Sequence, residues 1–489
     1  MFRASDPQMP LFDARGLLPP NKRKRCLYTW AEPFREHALP ILRRIEPEFA
    51  DLFDPEIGRP NRPVELVVGI LILKEISDLT DDEALDAVEW NVLWSWAFQR
   101  EPEEMHLCQK TLHNFRTGLL RRDKAKLAFR RVTDELIAAL GVKVTRQRLD
   151  STQILSNIAV LSRLGVLCET LRVFLRAVKD TAPKAYESLP TGILRRHGEE
   201  SAYADARRED GPRRLQVVAR DIWRLIVRFE DDRRITTTEA WTLLKRIFDE
   251  QCVLTTPDST PTPDDDDHGE GSVPVTLKEP KKVRSDSLQT PHDPDVTYSG
   301  HKGKGYAVQV AETCVENNPV QLITEVQVTP ACEGDARATV PVVQALDAAH
   351  AHPEEMVADT SYSGAPNASQ LAALGVNLTA PAPAQGKPEP GKPYPEPAAT
   401  CPVDLPGAGE WLKRQEASQR FKQKYAIRAG IEATNSELKR PHGMRKLRVR
   451  REARVRLAVY FKALACNLKR ALRHWVALLK AAEGCAAHG

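Results

Sequence analysis

The feature that most constrains the fold is an alternation of strands and helices with one long interruption. Residues 142–154 (VKVTRQRLDSTQI) alternate β-branched and polar side chains and read as a strand. Helical spacing then holds from 157 to 254, in segments such as LSRLGVLCETLRVFLRAV and VVARDIWRLIVRF, with a break at Gly211-Pro212. Strand character returns at 306–314 (YAVQVAETC) and 321–329 (QLITEVQVT), and the turn Glu316-Asn317-Asn318-Pro319 between them predicts an antiparallel hairpin. An amphipathic helix over 335–349, a strand over 355–358, a helix over 365–374 and a strand over 376–380 follow. Without the helical stretch, the order is three strands, helix, strand, helix, strand, helix. That order predicts an α/β fold, a mixed five-stranded sheet with flanking helices, carrying a helical insert after its first strand.

Two carboxylates stand at strand ends in this scheme: Asp150 on the first strand and Asp359 after the fourth. Ligands of open sheets gather at such ends, although the run Asp150-Ser151-Thr152 serves equally as a turn or cap. A third acid comes from 425–439 (YAIRAGIEATNSELK), which has no proline and reads as helix. Tyr425, Arg428, Glu432 and Lys439 are spaced by three, four and seven, so they share one helix face. That face suits a divalent metal on Glu432 with Arg428 and Lys439 on phosphate oxygens. A solvated face with an i,i+4 Arg–Glu pair fits as well. Three carboxylates meeting at one place would hold two Mg²⁺ ions about 3.5–4 Å apart; without metal they would repel and their pKa values would rise.

The net charge of +4 conceals an uneven distribution. Residues 440–456 (RPHGMRKLRVRREARVR) are dense in Lys and Arg and carry a single acid, Glu452. Such a block marks a polyanion partner or a solvated surface. Lys302 and Lys304 lie in the glycine-rich run 300–305, which reads as a close approach to phosphate or as a plain loop. The N-terminal part, 27–141, is helical throughout. It includes an apolar helix at 64–76, a capping box at Thr80-Asp81-Asp82-Glu83, and Trp90, Leu93, Trp94 and Phe98 at core spacing. Lys110, His113, Asn114 and Arg116 would point outward from a helix whose Leu112 and Phe115 point in, as in a recognition helix or an ordinary bundle helix. Leu457, Phe461, Leu464, Leu468, Leu472 and Trp475 form the core stripe of a last helix.

The boundaries expected are an irregular leader at 1–26, the N-terminal domain at 27–141, and a catalytic domain at 142–156 and 297–480. The insert occupies 157–254, a disordered linker 255–296 and a Pro-rich loop 381–410. Nine cysteines without a C-x-x-C pair, no secretory signal and no apolar run of membrane-spanning length predict a reduced, cytoplasmic protein with no membrane partner.

These motifs together resemble the DDE transposases of bacterial insertion sequences, whose catalytic domain is ribonuclease-H-like. The narrower likeness is to the subgroup with Y-x2-R-x3-E-x6-K, met by Tyr425, Arg428, Glu432 and Lys439. Leu149-Asp150-Ser151-Thr152, the 298–306 stretch YSGHKGKGY, Ala358-Asp359-Thr360-Ser361-Tyr362-Ser363 and the 438–445 stretch LKRPHGMR also look familial, as does the helical 64–122 segment. The resemblance implies that Asp150, Asp359 and Glu432 are catalytic acids binding two Mg²⁺, with Mn²⁺ able to substitute. It implies that Tyr425, Arg428 and Lys439 contact transposon-end DNA near the cleaved phosphate. The expected activity is endonucleolytic cleavage of element ends and joining of the 3′-hydroxyl to target DNA. The expected partners are double-stranded terminal inverted repeats, target DNA and a second copy of the chain, at the bacterial nucleoid. Arg440, Arg445 and Arg448 would track the DNA backbone, since their block has no Asn or Gln for adenine edges. Lys110 and Arg116, with His113 and Asn114, would serve terminal-repeat recognition. A domesticated or inactive DNA-binding relative and a nuclease of the same fold are the alternatives. In one departure from the family, the cysteine-containing segment before the Glu helix is reduced to Cys401 in a Pro-rich loop.

Overall fold

The computed structural model describes residues 1–4, 18–198, 201, 210–254 and 275–486, with side chains to 483. Its centre is a curled mixed sheet of β1 (Arg146–Ile154), β2 (Gly303–Thr313), β3 (Ile323–Pro330), β4 (Glu355–Ala358) and β5 (Asn377–Thr379), in the order β3-β2-β1-β4-β5. β1 runs antiparallel to β2 and parallel to β4, with Asp150 opposite Val310 and Leu149 opposite Ala358. β2 and β3 form the expected hairpin, and β4 and β5 pair in parallel. A short extra strand, Thr297–Ser299, pairs with the start of β2. This is the ribonuclease-H-like arrangement.

The sheet buries both faces, because successive side chains of a strand point to opposite sides. Leu149, Ala311, Met356, Ala358 and Leu378 pack beneath the helices Thr339–Asp347, Ala365–Ala373 and Leu405–Ala417. Val308, Val310, Ile323 and Val326 face the other way, into a core shared with the last helix, Glu452–Ala486, and with the N-terminal helices. Residue 141 therefore marks a change of secondary structure, with no gap between cores. The helix Val64–Ile76 is mostly apolar and buried from Val64 to Glu75, as suits a helix at the centre of a larger core. Asn467 joins the halves by hydrogen bonds of 2.7 Å to both the N–H and the carbonyl of Ile323, with Thr133 Oγ1 at 3.3 Å.

The capping box at Thr80 and Glu83 is formed. Trp90, expected in the core, is 79% exposed. The helix stops at Trp90, Asn91 is extended, and a new helix starts at Val92, so the periodic face turns between them. The insert has its own core, centred on Leu171, Phe174, Ile222, Leu244 and Ile247. Of the linker expected at 255–296, residues 255–274 lie outside the described residues. From Val275 the chain is ordered: Val275–Leu277 pairs with Cys252–Leu254, Leu288 joins the insert core, and Asp293 accepts from the Tyr306 hydroxyl at 2.8 Å. Apolar and hydrogen-bonding residues there outweigh the Pro-Thr-Asp composition of the part before it. Of the leader, 5–17 lie outside the described residues, and Pro20–Cys26 is a helix containing the basic cluster. Among the described residues, no helix is long and apolar enough to cross a membrane.

Candidate active site

The parallel register of β1 with β4 brings two of the acids together. Leu149 pairs with Ala358, so Asp150 and Asp359 each follow directly on adjacent strands. Asp359 also caps the turn Thr360–Tyr362 by accepting from the Ser361 N–H at 2.8 Å. Glu432 comes from the helix Gly430–Lys439, which continues Phe421–Ala426 through a 3-10 turn at Ile427–Ala429. A Cβ on Gly430 would overlap the Arg148 guanidinium, so any larger residue there must displace it. Arg148 donates to the Ile427 carbonyl at 2.9 Å and pairs with the fully buried Glu312 at 2.5 Å. Glu312 also accepts from Thr434 and Arg470, each at 2.5 Å, so this network sets the helix against the sheet.

All three acids reach the Arg428 guanidinium, at 3.5 Å from Asp150, 3.6 Å from Asp359 and 3.3 Å from Glu432. Their side chains are 14%, 29% and 67% exposed, so the cluster opens toward solvent on the Glu432 side. Burial raises the pKa of Asp150, and the charges of Asp359 and Asp335 raise it further, against the pull of Arg428 and the Ser151 N–H. Burial works against the Arg428 charge, but Asp150, Tyr425, Asp359 and Glu432 outweigh it and its pKa rises. A hard-oxygen site that already draws a cation to its centre fits divalent metal.

The remaining expected residues divide by what holds them. Tyr425 is half-buried, stacked on Phe421 with ring centroids 5.3 Å apart, and burial raises its pKa. Lys439 is half-buried near Asp150, and burial, Arg445 and Lys302 lower its pKa. Lys302 bonds Ser151 Oγ at 2.5 Å and Asp335 at 2.9 Å, at the edge of the acid cluster. Arg440, Arg445 and Lys110 are exposed. Three other cations have partners within the protein. Lys304 donates to the Leu161 carbonyl at 2.8 Å, tying β2 to the insert. Arg116 is held bidentately by Asp81. Arg448 bonds Asp78 at 3.0 Å while remaining half exposed.

Sequence reasoning missed Asn435 and Asp335. Asn435 Nδ2 donates to Asp150 Oδ2 at 3.0 Å. It lies three residues after Glu432, so helical spacing could have found it. Asp335 begins a 3-10 turn after β3, and no local spacing ties it to the acids.

Residues 285–468 match the family model described as Transposase DDE domain, and residues 33–118 match one described as Transposase domain. The first match takes in Asp359 and Glu432; Asp150 lies upstream of it, across the insert. No curated protein and no solved structure gave a significant match. A ribonuclease-H-like sheet with these family matches defines an enzyme acting on DNA, of a class that generally uses divalent metal ions. The chain belongs to the DDE transposases of insertion sequences.

Proposed function

We propose that this transposase nicks the ends of its element and joins the freed 3′-hydroxyl to target DNA, with Asp150, Asp359 and Glu432 as catalytic acids. The observation that carries the reading is their meeting around a single guanidinium from three remote parts of the chain. The same acids would hold two Mg²⁺, or Mn²⁺ in their place, since carboxylate oxygens suit both ions. When bound, such a pair activates water or a 3′-hydroxyl and stabilises the leaving oxygen of an in-line displacement at phosphorus.

This chain's own residues orient the acids and receive DNA. Asn435 holds Asp150 through its amide, and the Glu312 network holds the Glu432 helix. Arg428, released from the acids once their charge is neutralised, would donate to phosphate oxygens beside them, with Tyr425 and Lys439 on either side. These roles for Tyr425, Arg428, Glu432 and Lys439 would fit the Y-x2-R-x3-E-x6-K subgroup. Arg440 and Arg445 would track the DNA backbone, and Lys110 would meet it on the N-terminal helix. Lys302 can do so only by leaving Asp335. A dimer would hold two ends together, at the nucleoid.

The test is metal-dependent nicking of DNA bearing the element's ends, with Glu432→Gln as the control. Undiminished nicking by that variant removes Glu432 from catalysis. Tight, salt-sensitive binding by the wild type without any nicking makes it a DNA-binding relative.

A further inference from the structure

A second set of metal-ligand types lies behind the Glu432 helix, away from the acid cluster. Glu437 is near the end of that helix, His442 is in the turn that follows, and Cys466 comes from the last helix. One ligand atom from each lies within 4.8 Å of the others. His442 and Cys466 are fully buried, while the Glu437 side chain is 20% exposed.

His442 carries the argument. Its Nδ1 lies 2.9 Å from the Glu75 carbonyl oxygen, which can only accept, so the ring proton sits on Nδ1. Nε2 is left with a lone pair and no hydrogen-bond partner among the described residues, on a residue with 0% exposure. A buried polar atom in that state costs about 1–3 kcal/mol. Burial also lowers the His442 pKa, which keeps the ring neutral, the form that binds metal. A backbone carbonyl orienting one ring nitrogen so that the other faces a ligand is the usual support of a metal-bound histidine. Burial pushes the Cys466 thiol up to about 12, with Glu437 as its hydrogen-bond acceptor.

The surrounding charge limits what can bind. Lys462 is neutralised by Glu75 at 2.6 Å and Asp78 at 3.4 Å, and Arg470 by Glu312 at 2.5 Å. Arg470 holds Glu437 through Oε2, at 2.9 Å, and Arg473 lies 3.7 Å from Oε1. Lys469 remains nearby, bonded to the Ile76 carbonyl at 3.4 Å. A hard, strongly hydrated ion gains little among these cations. A thiophilic ion gains a covalent-like bond to sulfur.

We propose that Glu437, His442 and Cys466 form a site for one thiophilic divalent cation, Zn²⁺ in the cell, distinct from the catalytic acids. Binding forms a metal–sulfur bond, and the thiol proton leaves to solvent past Glu437. Zn–S of about 2.3 Å and Zn–N of about 2.0 Å put tetrahedral ligand atoms under about 4 Å apart, so the trio closes by roughly 1 Å. Water would take the fourth position. The bound ion would staple the Glu432 helix and the following turn to the last helix.

Co²⁺ titration of the metal-free full-length protein tests this, because thiolate ligation gives a sulfur-to-cobalt charge-transfer absorption that carboxylates do not. The wild type is expected to develop that band with one equivalent, and an excess of Mg²⁺ to leave it in place. Cys466→Ser should abolish the band and weaken that equivalent roughly 100-fold. The double variant Asp150→Asn/Asp359→Asn should keep it, so failure here and failure of the active-site reading are separable. Added Zn²⁺ should raise the melting temperature of the wild type and leave that of Cys466→Ser unchanged. No charge-transfer band in the wild type, or a band that survives Cys466→Ser, overturns the proposal.

Discussion

Two charged clusters meet at the Glu432 helix, and they are built in opposite ways. Around Arg428, three carboxylates stand off at 3.3 to 3.6 Å and Glu432 is two-thirds exposed. Around Glu312, which has no exposure, Arg148 and Arg470 close to 2.5 Å, and Thr434 adds a hydrogen bond. Lys462 and Glu75, deep between the N-terminal and last helices, pair at 2.6 Å in the same manner. Tight buried pairs with every remaining acceptor filled can hold an element in place. A loose cluster open on one side can exchange one cation for another. The molecule uses the first kind to aim the second.

The sharpest way to break this contrast is to remove one charge from each cluster. Asp359→Asn or Glu432→Gln should lower nicking by roughly 10³-fold, on the scale of losing one preorganised electrostatic group. Their melting temperatures should stay within a few degrees of the wild type. Glu312→Gln should do the reverse, leaving Arg148 buried without its counter-charge and Arg470 with Glu437 alone. Chemical denaturation should show a loss of about 3–5 kcal/mol, and Lys462→Met, which leaves Glu75 with Lys74 at 3.0 Å, should cost less. If Glu312→Gln folds with wild-type stability while Glu432→Gln melts far lower, the roles assigned to the two clusters are inverted.

The contrast also explains what could be read ahead of the structure. Strand alternation and element order located Asp150 and Asp359, because β1 and β4 announce themselves locally and their parallel pairing follows from topology. Helical spacing put Arg428 and Glu432 on one face. It could not show that the guanidinium sits among all three acids, since that depends on how the helix lands on the sheet. Lys304, Arg116 and Arg448 looked like free cations because their partners, Leu161, Asp81 and Asp78, lie far away in sequence. The shared core was hidden for the same reason: the stripe on the last helix was visible, but not the fact that it faces Val64–Ile76 on one side and β3 on another. Composition misled from 275 onward, where a Pro- and Asp-containing segment is ordered by Leu288, Asp293 and Val296.

A gentler test leaves the acids intact and removes the cation between them. In Arg428→Ala the metal-free carboxylates lose their shared counter-charge, so an incoming divalent ion has nothing to displace. Mn²⁺ affinity without DNA, followed by electron paramagnetic resonance, should rise roughly tenfold. Nicking should still fall, because the phosphate loses its donor. Unchanged or weaker Mn²⁺ binding would mean that Arg428 does not compete for the site and that its loose pairs are incidental.

The smallest effects are expected along the basic block, where the same distinction between held and free charges applies. Arg445 is exposed and its charge acts on Lys439, whereas Arg448 is already paired with Asp78 and bonded to the Leu79 carbonyl at 3.3 Å. A phosphate contact made by a free arginine releases a counterion, so Arg445→Ala should reduce the slope of log binding constant against log salt by about 0.9. Arg448 must first give up Asp78, so Arg448→Ala should reduce the slope by less. Both losses should be equal on element-end DNA and on unrelated duplex, because backbone contacts carry no base information. A loss confined to element ends would place base recognition in this block. A full slope change for Arg448 would show that its pair with Asp78 opens freely and belongs with the exchangeable charges around Arg428.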